Sequence, residues 1–325
     1  MYPEIKLSVI GCGKWGINHV RTASALLGEN LISASDRDPE AEERIKKISA
    51  GIDFHNDYGS ILEDKRINSV IIATPAETHF EIAKMCLEHG KNVLIEKPIT
   101  LFSAEAESLL KLAESKNLVL MVGHVLLYHP AVLKMKKMID ENFIGKVQYI
   151  YSNRLNLGTI RKEESILWSF APHDISVIQF LLDNEKPVSV FAEGATFLQK
   201  NIEDTTLTYI KYPDNVHAHI YVSWLHPFKE QRLVVIGDGG MIVFEDSLKT
   251  EKLKFYKKGF SIVDGEIEKF DSDYEVVNYE NLQPLEEEQK HFCECVTEKK
   301  TPRTDGLHAK EVLEILEKAQ SNLKK

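Results

Sequence analysis

The residues with the clearest chemistry form a glycine-rich turn near the start of the chain. Gly11-Cys12-Gly13-Lys14-Trp15-Gly16 directly follows an apolar run, Ile5 to Ile10, and opens an amphipathic stretch from Ile17 to Leu27. In a strand–turn–helix, the first glycine permits the bend, the second lets the backbone approach a pyrophosphate, and the third allows close packing. The helix N-terminus adds free N–H groups for the phosphates. This context predicts a dinucleotide site that includes Gly11, Gly13, Lys14, Trp15 and Gly16.

An acidic residue follows the second apolar run, Leu31 to Ser35. Asp36 stands 20 residues after Gly16, where a carboxylate accepts hydrogen bonds from the adenosine ribose and repels a 2′-phosphate. The neighbouring Arg37 works against this preference, because a guanidinium pairs well with a 2′-phosphate. The alternative is a structural glycine turn followed by a surface acid. We expect NAD as the cofactor, with Asp36 and Arg37 in its site.

A lysine lies where the fourth apolar run ends. Glu96-Lys97-Pro98 follows Asn92 to Ile95, and ligands of open α/β sheets bind outside the carboxyl ends of the strands. An ammonium group there lowers the cost of the alkoxide that develops as a hydride leaves a carbinol carbon. The alternative is a solvated lysine on a loop.

A histidine in the second half of the chain is the matching proton acceptor. Within Trp168-Ser169-Phe170-Ala171-Pro172-His173-Asp174, the proline fits at or just before the first turn of a helix predicted over Asp174 to Leu182. His173 is then expected at a helix N-terminus, where its near-neutral titration suits proton removal from an alcohol. The alternatives are a structural histidine and, for Asp174, a carboxylate that only serves the helix N-terminus.

The elements that must position these groups change type near Gly123. Before it, apolar runs alternate with helical stretches, which indicates parallel strands joined by right-handed crossovers and covered on both faces. We predict a doubly wound, Rossmann-type α/β domain over residues 1–123. Its strands are predicted at Ile5 to Ile10, Leu31 to Ser35, Ser69 to Ala73, Asn92 to Ile95 and Leu118 to Val122.

After Gly123 the chain becomes strand-rich, with side chains alternating in period two. We predict an α+β domain over residues 124–325, built on a large, mainly antiparallel open sheet and closed by helices at Glu286 to Glu298 and Leu307 to Asn322. The acidic run Glu286-Glu287-Glu288 is predicted to be the solvated start of its helix, where negative charge suits the dipole. Six strands are predicted: Val147 to Asn153, Val188 to Leu198, Thr205 to Tyr212, Val216 to Trp224, Leu233 to Ile236 and Met241 to Phe244.

Composition narrows the class of protein. The 325 residues include 50 acids and 40 Lys plus Arg, a net charge of −10, which argues against nucleic acid as a partner. No apolar run approaches the ~20 residues of a membrane span, and the start lacks the apolar core of a secretory signal. We therefore expect a cytoplasmic protein. No metal site is expected, because Cys293 and Cys295 diverge on a helix and the pair His217 and His219 has no neighbouring ligand.

These features together resemble the Gfo/Idh/MocA oxidoreductase family. The resemblance rests on the glycine turn, Asp36, Ala73-Thr74-Pro75, Glu96-Lys97-Pro98, His173 and the segment Thr301 to Gly306. It implies a Rossmann domain, an open antiparallel sheet that commonly mediates homodimers or homotetramers, and NAD(P)-dependent oxidation or reduction of a sugar or polyol carbon. It also implies a catalytic pair of Lys97 and His173, a cis Lys97–Pro98 bond, and cofactor contacts from Thr74, Pro75, Glu96 and Lys97.

A finer resemblance links the second half to a subgroup that acts on nucleotide-linked sugars. The segments Arg154 to Arg161, Leu167 to Asp174 and Ser223 to Lys229 resemble UDP-N-acetylglucosamine 3-dehydrogenases. These make a 3-keto sugar for a partner aminotransferase in bacterial surface polysaccharide or lipid A biosynthesis. Cations near the sheet are suited to a diphosphate. The expected substrate-binding residues are Arg154, Asn156, Arg161, Trp168, His173, Lys229 and Arg232.

One departure keeps other activities open. Many members carry Asp four residues before the catalytic histidine, where this chain has Ser169, and a serine cannot act as a carboxylate. The alternatives are a UDP-N-acetylglucosaminuronate 3-dehydrogenase, a nucleotide-sugar 3-ketoreductase and an inositol dehydrogenase. From a different class, an NAD-binding sensor without turnover would use the same fold.

Overall fold

The computed structural model describes residues 2–323. The chain divides into two compact units. Unit 1 combines Met1–Tyr128 with Leu282–Leu313, and unit 2 combines His129–Asn281 with Glu314–Lys325. The predicted division into 1–123 and 124–325 differs from this in two ways. Unit 1 runs five residues further, and it includes a C-terminal segment that the prediction assigned to the second domain.

Unit 1 is built on a six-stranded parallel sheet with the order β3-β2-β1-β4-β5-β6. Every residue of β1, β4 and β6 is buried, as expected of a sheet covered on both faces. The predicted doubly wound parallel sheet is confirmed. Strand β3 was not predicted. It has only three residues, and two of them are polar, so it lacks the apolar run that marks the other strands. The strands are β1 Leu7–Ile10, β2 Leu31–Ser35, β3 Asp53–His55, β4 Ser69–Ile72, β5 Asn92–Glu96 and β6 Leu120–Gly123.

Helices connect these strands. Helix α1 buries His19, Val20, Ala23 and Leu27, which lie on one face at helical spacing. That face places a histidine, rather than an aliphatic side chain, in the interior of unit 1. The helices are α1 Gly16–Leu27, α2 Ala41–Lys46, α3 Gly59–Glu63, α4 His79–Glu88 and α5 Ser103–Lys116.

Unit 2 contains an eight-stranded sheet with the order β14-β13-β12-β11-β7-β10-β9-β8. Its neighbours are antiparallel except for the parallel pair β7 and β10, so the predicted mainly antiparallel sheet is confirmed. Buried and exposed side chains alternate along β9, and α7 packs on the covered face. The elements are α6 Pro130–Asp140, β7 Val147–Leu157, α7 Ile166–Leu181, β8 Ser189–Ala195, β9 Thr205–Lys211, β10 His217–Ser223, β11 Leu225–Gly237, β12 Met241–Glu245, β13 Leu253–Val263 and β14 Glu266–Val276.

The prediction for α7 was wrong at its start. The helix begins at Ile166, not near Asp174, and Pro172 lies inside it. An internal proline loses one backbone hydrogen bond and costs about 3 kcal/mol. The helix continues through it because both of its ends are buried on the sheet, with Leu167 before the proline and Ile175 after it. His173 therefore lies in mid-helix, not at a helix N-terminus.

The chain closes with α8, Pro284–Glu298, and α9, Gly306–Leu323. Helix α8 packs against α1 in unit 1, and the division between the units falls within α9. Between the two helices, Thr304 accepts a backbone hydrogen bond from Val122, and Asp305 forms a bridge with Met121. These pairings on β6 hold the segment in unit 1. Among residues 2–323, no helix is both long and apolar enough to cross a membrane.

Candidate cofactor and catalytic sites

The carboxyl ends of β1, β2 and β4 open into a cleft of about 590 Å³ within unit 1. The cleft brings together residues from four separate parts of the sequence. Two predicted cofactor residues lie next to the cleft: Gly16 packs against the glycine turn, and Glu96 contacts the cleft residue Trp15. The predicted cofactor residues that line the cleft are Gly11, Gly13, Lys14, Trp15, Asp36, Arg37, Thr74 and Pro75.

The glycine turn fits a dinucleotide pyrophosphate. Gly11 has φ +89°, and a Cβ on Gly16 would lie 2.0 Å from the Gly11 carbonyl oxygen, so helix and strand pack too closely for any side chain. A Cβ on Gly13, by contrast, would meet nothing within 4 Å. The backbone at Gly13 is therefore open to the cleft, as close approach of a phosphate requires.

Asp36 is held in a fixed position at the end of β2. Its Oδ2 accepts the backbone N–H of Cys12 at 2.5 Å, and its Oδ1 accepts that of Asp38 at 2.8 Å. A carboxylate fixed in this way keeps its remaining lone pairs for ribose hydroxyls. Burial, followed by the charge of Asp36, raises the pKa of the Cys12 thiol to about 12, so this cysteine stays protonated and serves packing.

Further residues of the cleft were missed in the sequence. Asn56, Asp57 and Tyr58 follow β3, and they line the cleft together with Glu77 and Thr78. The first three were missed because β3 itself was not predicted, although their position after a strand end would have been the signal. Asp57 and Glu77 add two carboxylates to the cleft that Asp36 also lines, and negative charge there disfavours a 2′-phosphate.

Glu96, at the end of β5, joins the glycine turn to the lysine that follows it. Its Oε1 accepts the indole N–H of Trp15 and lies 2.7 Å from His19 Nε2, while its Oε2 accepts the backbone N–H of Lys97 at 3.2 Å. Burial alone would raise the pKa of Glu96, but the hydrogen bonds from His19 and Trp15 and the charge of Lys97 hold it below the usual value. Glu96 is therefore a carboxylate.

Lys97 is half-buried and precedes a cis peptide bond to Pro98, as the family resemblance implied. His79, which was not singled out in the sequence, ties this turn to the cleft. Its Nδ1 lies 2.7 Å from the Pro98 carbonyl oxygen and its Nε2 lies 2.9 Å from that of Thr74. Burial, then the charges of His308 and Lys97, hold the pKa of His124 well below its usual range, so His124 is neutral.

In unit 2, the predicted substrate residue Arg154 is bound by an acid. Its Nε and Nη2 donate to Asp174 at 2.7 and 3.1 Å, and Ser152 Oγ donates to the same carboxylate at 2.6 Å. Asp174 is buried and holds Arg154 on the sheet. The alternative prediction, in which Asp174 serves a helix N-terminus, is wrong because α7 begins eight residues earlier. His173, the preceding residue, is half-buried.

The other predicted cations differ in how far they are neutralised. Arg232 contacts Glu245 at 2.8 Å and Glu230 at 3.5 Å, so its charge is offset. Arg161 pairs with Glu164 at 3.1 Å on the surface. Lys229 is exposed on β11. Among these residues, Lys229 offers a diphosphate the most accessible charge.

Asn156 and Trp168 complete the predicted substrate set, and Ser169 is the position where many family members carry Asp. Asn156 Oδ1 is buried and has no hydrogen-bond partner among residues 2–323, which makes it an acceptor for a ligand N–H or O–H. Trp168 donates its indole N–H to Gln320 at 2.8 Å, so it offers a ligand only its ring. Ser169 is buried within α7.

A parallel Rossmann sheet with a glycine turn and Asp36 at its cleft, followed by a mainly antiparallel sheet, is the architecture of an NAD-binding two-domain oxidoreductase. Residues 5–124 match GFO_IDH_MocA, the oxidoreductase family with an NAD-binding Rossmann fold, and residues 132–243 match the GFO/IDH/MocA C-terminal domain. The chain belongs to this family.

Individual relatives differ in the substrates that their names give. The chain is 27% identical to scyllo-inositol 2-dehydrogenase (NAD(+)) of Bacillus subtilis (strain 168), over 97% of this chain and 93% of that protein. UDP-N-acetylglucosamine 3-dehydrogenase GnnA from Acidithiobacillus ferrooxidans is similar in structure, with a TM-score of 0.84, 22% identity, and coverage of 98% and 97% of the two chains. GenD2 from gentamicin A biosynthesis, solved in complex with NAD, has a TM-score of 0.82 and 20% identity, covering 99% and 94%.

Proposed function

We propose that the protein is an NAD-dependent dehydrogenase that oxidises the C3 hydroxyl of a UDP-linked N-acetyl sugar, UDP-N-acetylglucosamine, to a 3-keto sugar. The observation that carries the proposal is the buried Asn156 Oδ1, which lacks a protein partner among residues 2–323. The N–H of a substrate acetamido group would supply the missing donor. Lys229 supports the proposal as an accessible cation for the diphosphate.

In this proposal, the chemistry is divided between Lys97 and His173. His173 accepts the proton of the C3 hydroxyl, and the Lys97 ammonium stabilises the negative charge that develops on its oxygen. The residues of the unit 1 cleft would hold NAD, which would supply the hydride acceptor. The Glu96 carboxylate accepts hydrogen bonds from the Lys97 backbone N–H and from the Trp15 indole N–H, which would keep the lysine turn aligned with the glycine turn.

Formation of NADH from NAD and UDP-N-acetylglucosamine tests the proposal, with a ketone trap or the coupled aminotransferase present to pull the equilibrium. Lys97→Ala and His173→Ala should each lower kcat by ~10²–10⁴-fold while NAD still binds. Lys116→Ala, an exposed lysine at the end of α5, is the matched control and should keep the wild-type rate. Wild-type rates in both catalytic variants would refute the assignment.

Oxidation of a free cyclic polyol is the second candidate. It is favoured by the 27% identity to an inositol dehydrogenase over 97% of the chain. Asn156→Ala separates the two candidates, because an inositol carries no acetamido group. The variant should lose kcat/KM for UDP-N-acetylglucosamine if that sugar is the substrate. Turnover of inositol alone, unaffected by Asn156→Ala, would establish the polyol instead.

A panel of related substrates separates the remaining activities. UDP-N-acetylglucosaminuronate tests oxidation of the uronate analogue, and a 3-keto deoxysugar nucleotide with NADPH tests the reductive direction. We also propose that the protein forms a homodimer or homotetramer, which light scattering would measure.

A further inference from the structure

A buried acid of α8 lies beside Glu96, outside the machinery described above. Glu288 is fully buried, and one of its carboxyl oxygens lies within 4.8 Å of a carboxyl oxygen of Glu96 and of a ring nitrogen of His19. Neither oxygen has a hydrogen-bond partner among residues 2–323. The prediction that Glu286 to Glu288 is a solvated helix start is therefore wrong for its last member. A buried carboxyl group in such a position requires a proton, a polar ligand or a cation.

The hydrogen bonds of His19 decide between a proton and a metal ion. The side-chain amide of Gln289 donates to the backbone carbonyl of His19 at 3.2 Å, which orients its N–H₂ group toward His19 Nδ1 at 3.0 Å. Nδ1 is then an acceptor, and the ring proton lies on Nε2, which donates to Glu96. A protonated Nε2 has no lone pair for a metal ion. The geometry favours a proton in the group.

The proton belongs to Glu288 rather than Glu96. Glu96 receives donors from Trp15, His19 and Lys97, all of which stabilise its charge. Burial, followed by the charge of Glu96, raises the pKa of Glu288 well above its usual value. The titratable groups packed toward Glu288 are Glu96 from β5, His19 from α1 and Tyr128 from the turn before α6, and the charge among them that acts on the pKa of Glu288 is that of Glu96.

We propose that Glu288 is a positioning residue for NAD binding. As an uncharged carboxylic acid beside the Glu96 carboxylate, Glu288 keeps Glu96 hydrogen-bonded to Trp15 and Lys97. Ionisation of Glu288 would place two negative charges within 4.8 Å in a buried site, and their repulsion would displace Glu96. Trp15 belongs to the glycine turn, so the displacement reaches the pyrophosphate site. This inference concerns NAD binding and does not depend on the proposed sugar substrate.

The first test measures the dissociation constant of NADH by fluorescence between pH 6 and pH 10, with the full chain. Wild type should bind about tenfold more weakly for each pH unit above the pKa of Glu288. Glu288→Gln, a neutral side chain of the same shape, should bind within about twofold of wild type at pH 7 and lack the alkaline loss that Glu288 causes. Glu298→Gln, an exposed residue of the same helix, should follow wild type.

The second test is infrared spectroscopy of the carbonyl stretch of protonated carboxylic acids. Wild type and Glu298→Gln should show this band at neutral pH, and Glu288→Gln should lack its main component. In wild type alone, the band should disappear over the pH range in which NADH affinity falls, which keeps the test valid if Glu288→Gln does not fold. The proposal would be overturned if Glu288→Gln still lost NADH affinity at alkaline pH, or if wild type lacked the infrared band. Stoichiometric binding of Zn²⁺ or Mn²⁺ that Glu288→Gln abolishes would also overturn it.

Discussion

Replacing Glu288 by Gln should make unit 1 more stable, and increasingly so as the pH rises. The folded protein holds a proton on Glu288 because burial and Glu96 raise the pKa of this carboxyl group. The unfolded chain releases that proton near the ordinary glutamate value, about 4.3. Between the two pKa values the folded state binds one more proton than the unfolded state, so its free energy of unfolding falls as the pH rises.

The magnitude follows from linkage. One proton retained only in the folded state lowers the free energy of unfolding by about 1.4 kcal/mol per pH unit. The stability is therefore highest below the unfolded pKa and levels off above the folded pKa. Two pH units within this window correspond to about 3 kcal/mol, a large share of the stability of a domain. Glu288→Gln removes the titration and with it this slope.

The assay is urea unfolding of wild type, Glu288→Gln and Glu298→Gln from pH 5 to pH 8. Added NADH identifies the transition of unit 1, because a ligand of the folded state shifts that transition. Burial also lowers the pKa values of His79, His124 and His308, and these histidines destabilise the fold as the pH falls. Their contribution is common to all three proteins and cancels in the difference. A difference between wild type and Glu288→Gln that is constant with pH would refute the reasoning.

Three further changes test the cofactor cleft and the sheet of unit 2. Gly16→Ala places a Cβ 2.0 Å from a backbone oxygen, so it should lower both thermal stability and NADH affinity. Gly13→Ala has open space around its Cβ and should weaken only NADH binding. Equal melting temperatures of the two variants would contradict this. Arg154→Met leaves the buried Asp174 without its ion pair and should cost unit 2 about 3–5 kcal/mol in urea unfolding, and a loss below about 1 kcal/mol would show that Asp174 finds another partner. Asp36→Asn should raise the affinity for NADPH relative to NADH about tenfold, as measured by titration of both cofactors, and an unchanged ratio would remove Asp36 as the determinant.

The fold of unit 1 could be predicted because its strands are buried on both faces. Ser69–Ile72 and Asn92–Glu96 are short apolar runs between helices. Because both faces of these strands are buried, their sequences are apolar throughout and do not alternate between apolar and polar residues. The glycine turn was predictable for a related reason, since close packing at Gly16 admits no other residue. The cofactor site depends on these same local constraints, so most of its residues were found.

The hairpin of β13 and β14 was missed because few of its side chains are buried beyond Leu253 and Phe255 at the start of β13. Nearly all side chains of Glu266–Val276 are exposed, and the pairing is carried by the backbone. Helix α7 was started too late because Pro172 usually begins a helix, whereas packing on the sheet here outweighs the lost hydrogen bond.

Glu288 could not be found from the sequence for a different reason. Its neighbours Glu286 and Glu287 pair with Lys290 at the surface, and helical rotation alone turns the third glutamate inward. What it meets there, Glu96 and His19, comes from residues almost 200 and 270 positions away. The same holds for the bond between Arg154 and Asp174, which depends on how α7 lies on β7.

The order of units along the chain has a consequence for synthesis. Unit 1 is formed by two separated parts of the sequence, with residues 129–281 between them. A ribosome therefore completes the whole of the second sheet before it has made Glu288 and Gln289. Until Gln289 has been made, His19 lacks its amide partner. The pairing of β6 with residues 304 and 305 forms later still. A truncation after residue 123 or 128 should consequently give an NAD-binding half with an open flank, and a soluble Rossmann fragment would need residues 282–313 supplied in trans or joined by a short linker.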